Sequence, residues 1–131
     1  MSGVLVDSDI LIEVLRQRHP AIMDAWVELA SSGQPVYYSP VSVAELRHGM
    51  REHESHHIEH LFSTLTSVPI GEEIGRAAGD YLRAFQKSHA VEMADALIAA
   101  TASAYGLALW TQNRKHFPMK SVQFFGGRRL Q

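Results

Sequence analysis

Five short apolar runs constrain the fold of this chain more than any other feature: Gly3 to Val6, Pro35 to Tyr38, Ser67 to Ile70, Leu107 to Thr111 and Ser121 to Phe125. None alternates cleanly between apolar and polar, so each reads as a strand covered on both faces, the signature of a parallel sheet. Parallel neighbours need crossover connections, and the intervening segments have helical character. Ser8 is placed to cap a helix reaching about Arg18, and Pro20 opens one that stops at Gly33. "SVAE" from Ser42 reads as a capping box for a third helix, and a fourth covers roughly Glu54 to Leu65. A fifth runs from about Glu72 to Ser88. In the sixth, "ADALIAATASAY", Ala94, Ile98, Thr101, Ala102 and Tyr105 share one side, small enough to pack closely on a sheet. The order βααβααβααβαβ predicts an α/β fold: one three-layer domain over residues 1–131, with a central parallel sheet of about five strands flanked by helices.

At 131 residues and 46% hydrophobic, the chain has apolar material for one core. No run of eighteen apolar residues and no charged-then-apolar leader occurs, so neither a membrane span nor a signal peptide is expected and the expected location is cytoplasmic. The absence of cysteine excludes disulfides, thiolate metal sites and cysteine nucleophiles. Charge is uneven: up to Asp95 there are fourteen acids and seven Lys or Arg, net −7, and beyond it only Arg114, Lys115, Lys120, Arg128 and Arg129, net +5. A cationic last quarter suits phosphate, although charge alone fits a solubilising tail equally well.

The acids fall in a pattern. In a parallel sheet, ligands bind beyond the carboxyl ends of the strands. Asp7 ends the first strand, Glu45 is expected in the first turn of the third helix, Asp95 in the first turn of the sixth, and Asn113 two residues after the fourth strand. Each has a structural explanation: Asp7 as a cap competing with Ser8 and Asp9, Glu45 as the capping-box partner of Ser42, Asp95 as an acid at the positive end of a helix. Their convergence on one rim is harder to explain as capping. Gathered carboxylates repel and hold their protons tightly unless a cation sits among them. An all-oxygen set suits Mg²⁺ or Mn²⁺, which would orient a phosphodiester and activate water, with room for a second ion about 4 Å away.

"VLVDSDILIEVLR", "SPVSVAELRHGM", "ADALIAATA" and "LWTQNRKHF", in this order and spacing, resemble PIN-domain proteins, and more narrowly the toxin ribonucleases of VapBC toxin–antitoxin pairs. The resemblance covers nearly the whole chain and implies a three-layer fold and a metal-dependent endoribonuclease leaving a 5′-phosphate and a 3′-hydroxyl. Its metal-binding acids map to Asp7, Glu45 and Asp95, with Asn113 completing the catalytic set. Ser8, Asp9 and Thr111 support them; Asp9 stands where the family often has Asn, and capping is its expected role. Glu92 is a reserve candidate. Asn113 offers an oxygen without charge, which bears on the number of metals. Arg114, Lys115 and Lys120 would position RNA phosphates rather than read bases.

The resemblance also implies a VapB-type antitoxin laid across the helices, a homodimer within a toxin–antitoxin hetero-oligomer, no membrane partner, and operator DNA contacted only through the antitoxin. Ile12, Leu15, Trp26, Leu29 and Leu61 are groove candidates, though core is their more ordinary role. Three other readings compete. "HESHHIEH" spaces His53, His56, His57 and His60 by three and four, which could hold zinc but more simply makes a solvated helix face. A phosphoacceptor domain would need an Asp ending a later strand, and "SVPIGEE" has none. A catalytically weak PIN-like module could keep the acidic pocket for partner recognition.

Overall fold

The computed structural model describes residues 2–126; Arg128 and Arg129 of the basic quarter lie outside the described residues. Strands β1 (Val4–Val6), β2 (Val36–Tyr38), β3 (Thr66–Ser67), β4 (Ala108–Trp110) and β5 (Gln123–Phe124) form one sheet in the order β3-β2-β1-β4-β5. Every neighbouring pair is parallel. Helices α1 (Ser8–Arg16), α2 (Pro20–Ser31), α3 (Pro40–Gly49), α4 (Ser55–Ser63), α5 (Glu72–His89) and α6 (Met93–Tyr105) supply the crossovers. The last connection, Arg114–His116, is only a 3₁₀ turn.

Successive strand residues feed opposite cores, as the two-residue period requires. Leu5 and Leu109 join Ile74 and Ala78 of α5 and Ala96, Ala99 and Ala100 of α6. Val4, Val6 and Trp110 join Ile10 and Leu11 of α1, Ile22 and Leu29 of α2, and Ile58 and Phe62 of α4. Two helical layers therefore enclose the sheet, as expected. The small residues of α6 are buried around more of its circumference than one side, because the helix is wedged between α5 and the sheet. Among the described residues no helix is long and apolar enough to cross a membrane.

Several expected boundaries move for local reasons. The cap of α1 is Asp7, not Ser8: its side chain accepts the Ser8 N–H, and α1 stops at Arg16 with Gln17 in the left-handed region. α3 starts two residues before Ser42, because Pro40 occupies the first helical position and Ser39 Oγ accepts the Val41 N–H at 3.0 Å. Glu45 consequently lies in the second turn rather than the first. α4 is shortened at its front by a 3₁₀ turn at Glu52–Glu54. β3 ends at Ser67, ahead of the expected Ile70, because Pro69 has no N–H to give a ladder. At the start of β1, Gly3 has φ +137°, and a Cβ there would sit 2.6 Å from Pro35 O; only glycine admits β2 this closely.

Candidate active site

β1 lies at the middle of the sheet, with β2 on one side and β4 on the other, so its carboxyl end opens at the switch in strand order. The ladder's last bond runs from Asp7 N–H to Trp110 O at 2.9 Å. Beyond it, Asp7 Oδ1 accepts the Ser8 N–H at 2.8 Å and Oδ2 accepts the Thr111 hydroxyl at 2.8 Å. Asp7 is thus both the helix cap and a buried acid, 8% exposed. Burial, followed by the charge of Asp9 and more weakly that of Glu45, pushes its pKa up to about 7 against the hydrogen bonds from Thr111 and Ser8.

Asp9 faces the loop after β4 and does not cap α1. Its Oδ2 accepts from Gln112 N–H at 2.9 Å and Asn113 Nδ2 at 3.1 Å, with Thr111 Oγ1 at 3.4 Å. Its Oδ1 is buried with no partner among the described residues. Burial raises its pKa, Glu45 adds to the rise, and the Gln112 and Thr111 hydrogen bonds oppose it. Asn113 also returns its backbone N–H to Thr111 Oγ1 at 3.1 Å. Thr111 thereby connects Asp7, Asp9 and Asn113.

Glu45 reaches the same cluster from α3: the Ser8 hydroxyl lies 2.6 Å from its Oε1 and 2.8 Å from Ser42 Oγ. Asp95 is held differently. Its Oδ2 accepts the Glu92 N–H at 3.0 Å, closing the first turn of α6, and lies 3.9 Å from His116 Nδ1. The structural explanation of Asp95 as a helix-start acid is therefore real, and Glu92 is the cap residue preceding α6. Among the described residues no three His, Asp or Glu side chains are arranged to hold one ion. One oxygen of Glu45 is engaged by Ser8 and one of Asp95 by the Glu92 N–H.

The basic residues divide. Arg114 is half-buried, lies 4.7 Å above the Phe124 ring and donates to Phe125 O at 3.2 Å, so it fastens β5. Lys115 and Lys120 are exposed. Sequence reasoning missed three participants: Ser42, assigned to a cap that Ser39 provides; Gln112, which acts through its backbone N–H; and His116, a lone histidine without spacing to mark it. His57 and His60 line an open cleft of about 390 Å³ with Val14, Leu15, Trp26 and Leu61, between α1, α2 and α4 and away from the acids. Leu29 is core, at 3% exposed, and Ile12 is partly buried.

A parallel sheet in this order, with Asp7 at the end of its central strand, defines a class of α/β proteins with an acidic site at the strand carboxyl ends. The sequence model of the PIN domain matches residues 4–121, and the chain belongs to the PIN-domain family. Its similarity extends to the ribonuclease VapC10 of Mycobacterium tuberculosis, 41% identical over 119 residues covering 88% of this chain and 86% of that protein. Ribonuclease VapC19 of the same organism is 35% identical over 116 residues, covering 88% and 92%. In fold the chain matches a protein from the Rickettsia felis VapBC2 structure bound to a promoter DNA fragment, with a TM-score of 0.77 and 20% identity over 95% of this chain and 97% of that one.

The donor set fits a hard divalent cation. Every candidate ligand is oxygen, and the charges of Asp9 and Glu45 raise the proton affinity of Asp7 while Glu45 raises that of Asp9, a repulsion that a cation relieves. The unpartnered Asp9 Oδ1 is a further acceptor. Mg²⁺ keeps several waters and needs only one or two direct carboxylates, so three converging acids are not required.

Proposed function

We propose that the protein is a metal-dependent endoribonuclease, the toxin component of a type II toxin–antitoxin pair, working in the cytoplasm on RNA phosphodiester bonds. One observation carries this reading beyond family membership: Asp7, buried at the end of the central strand, has its pKa pushed up to about 7 beside two further acids. A cap needs no such arrangement, and shifts of this kind concentrate at working sites.

In this reading Asp7, Glu45 and Asp95 would hold Mg²⁺ or Mn²⁺, one or two of them directly and the rest through the waters the ion keeps, and Asn113 completes the set with a neutral oxygen. An ion held there would supply orientation of the phosphodiester, activation of water and compensation of the charge on the leaving oxygen. The chain's own groups fix the geometry. Thr111 and the Ser8 N–H hold both oxygens of Asp7, and Ser8 Oγ holds Glu45. Asp9 anchors the Thr111–Asn113 loop over the rim. Asp95 Oδ1 remains for the site while Oδ2 caps α6. Lys115 and Lys120 position phosphates, while Arg114 supports the surface carrying Lys115.

The partners follow from the relatives' names. A VapB-type antitoxin holds the toxin inactive, with an apolar segment seated in the cleft of Leu15, Trp26 and Leu61. It carries the operator-DNA contacts within a hetero-oligomer built on a toxin homodimer. The test is incubation of antitoxin-free protein with end-labelled total RNA in Mg²⁺, Mn²⁺ or EDTA, alongside Asp7→Asn. Discrete cuts that need metal and vanish in the variant support the reading. Intact RNA with folded wild type would instead indicate a PIN-like module whose acidic pocket serves partner recognition.

A further inference from the structure

Ser42 is fully buried in the first turn of α3, yet the helix is capped by Ser39 and has no use for a second hydroxyl there. The hydroxyl's partner is Ser8 Oγ, 2.8 Å away, and Ser8 Oγ in turn lies 2.6 Å from Glu45 Oε1. Ser8 has one hydroxyl proton for these two contacts. The carboxylate oxygen is the shorter contact of the two, so it draws the larger share of the Ser8 proton. Ser8 Oγ is also the donor toward Ser42 Oγ, so its hydroxyl is held between Ser42 on one side and Glu45 on the other.

We propose that Ser42 is a positioning residue for Glu45, acting through Ser8. A serine hydroxyl rotates freely among its staggered wells, and a glutamate has three rotatable bonds. Either alone would leave the carboxylate poorly placed. With Ser42 on its other side, the Ser8 hydroxyl is held facing Oε1, and Oε2 is left for the acidic rim. The relay also joins α3 to the start of α1, so the acid from the second crossover is registered against the acid ending β1. The relay stands on the geometry alone; its effect on metal affinity rests on the function proposed above.

The experiment uses the full chain and two hydroxyl-deleting comparisons: Ser42→Ala against wild type, and Ser42→Val against Ser42→Thr. Valine and threonine have the same shape, so any crowding at this buried position cancels within the second pair. In metal-free protein, the ¹³C resonance of the Glu45 side-chain carboxyl should move in Ser42→Ala and should differ between Ser42→Val and Ser42→Thr. Mn²⁺ affinity measured by titration calorimetry should fall about tenfold or more in the hydroxyl-free member of each pair, the effect typical of groups that orient a ligand. A Glu45 resonance identical in Ser42→Val and Ser42→Thr overturns the relay. A resonance that separates the pair, in a protein that takes up no Mn²⁺ even as wild type, upholds the relay and removes the metal reading.

Discussion

Replacing Asp7 by Asn should make the metal-free protein more stable, and more so as pH rises. Asp7 has its pKa raised from 3.8 to about 7 by burial and by Asp9. Between those values the unfolded chain has lost this proton and the folded chain retains it. Protons bound in excess by the native state make stability fall with rising pH, so this group's contribution declines from about pH 4 to about pH 7 and stays low above. At about 1.4 kcal/mol per tenfold change in proton affinity, the full effect is about 4 kcal/mol. Asparagine carries no charge to desolvate. Its carbonyl still accepts the Ser8 N–H, its amide donates to Thr111 Oγ1, and the Thr111 proton turns to Asp9 Oδ2, which already lies 3.4 Å away.

We expect Asp7→Asn to gain at least about 2 kcal/mol on wild type between pH 4 and pH 8, within the ceiling of about 4 kcal/mol. At this chain length that corresponds to a Tm gain of about 3–4 °C per kcal/mol. Urea melts of both proteins in EDTA across the range give the comparison. A stability difference that stays flat from pH 4 to pH 8 would refute the reasoning, because it would mean that Asp7 ionises in the fold as readily as in the unfolded chain. The same substitution abolishes RNA cleavage if the proposed function holds, so a gain in stability accompanied by loss of activity would mark the acid as kept for chemistry.

Glu54 works in the opposite sense: the hydrogen bonds from Arg16, then that from the Arg51 N–H, hold its pKa down at about 2. Its stabilisation is present above its ordinary 4.5 and lost as pH falls toward 2. Urea midpoints should therefore show Glu54→Gln less stable than wild type at pH 7 and the two converging near pH 2. Gly3→Ala should be destabilised in thermal melts, because its Cβ meets Pro35 O at 2.6 Å in a backbone conformation with φ +137°; this combines strain with a displaced strand, about 1–3 kcal/mol or more. Lys115→Ala and Lys120→Ala should each weaken RNA binding and reduce the slope of log affinity against log salt by about 0.7, measured by fluorescence anisotropy with a catalytically dead protein. Arg114→Ala, by contrast, should lower stability through the lost Phe124 stacking and the lost bond to Phe125 O.

The sheet was legible because strands buried on both faces must be apolar, and the helices between them because proline, serine and glycine mark their ends. The candidate acids were legible as types at a rim, but their hydrogen-bond partners were not. Ser39 and Ser42 both precede helical residues, and only the position of Pro40 decides which one caps; the other is thereby left to meet Ser8. Asp7 and Asp95 show the same ambiguity from another side, since a carboxylate can cap a helix and face a site at once. The role of Asp9 was harder still to read, because two of its donors are the Gln112 backbone and the Asn113 amide, more than a hundred residues away along the chain. Arg114 carries the charge expected of a phosphate contact, yet Phe124 and Phe125, ten and eleven residues further on, claim its guanidinium.

The centre strand β1 has a consequence for how a ribosome makes this protein. β1 is synthesised first, but the groups that bind Asp7 from its far side, Trp110 O and Thr111 Oγ1, come from the last quarter of the chain. Contacts of such long sequence separation form late, after the intervening chain has paid its loop-closure entropy. Until β4 inserts beside β1, the ladder bond to Asp7 N–H is missing and the Thr111–Asn113 loop has no Asp9 to anchor it. The nascent polypeptide thus carries its acids before it has the framework that arranges them, and a chain truncated before residue 108 lacks the β4 side of that framework.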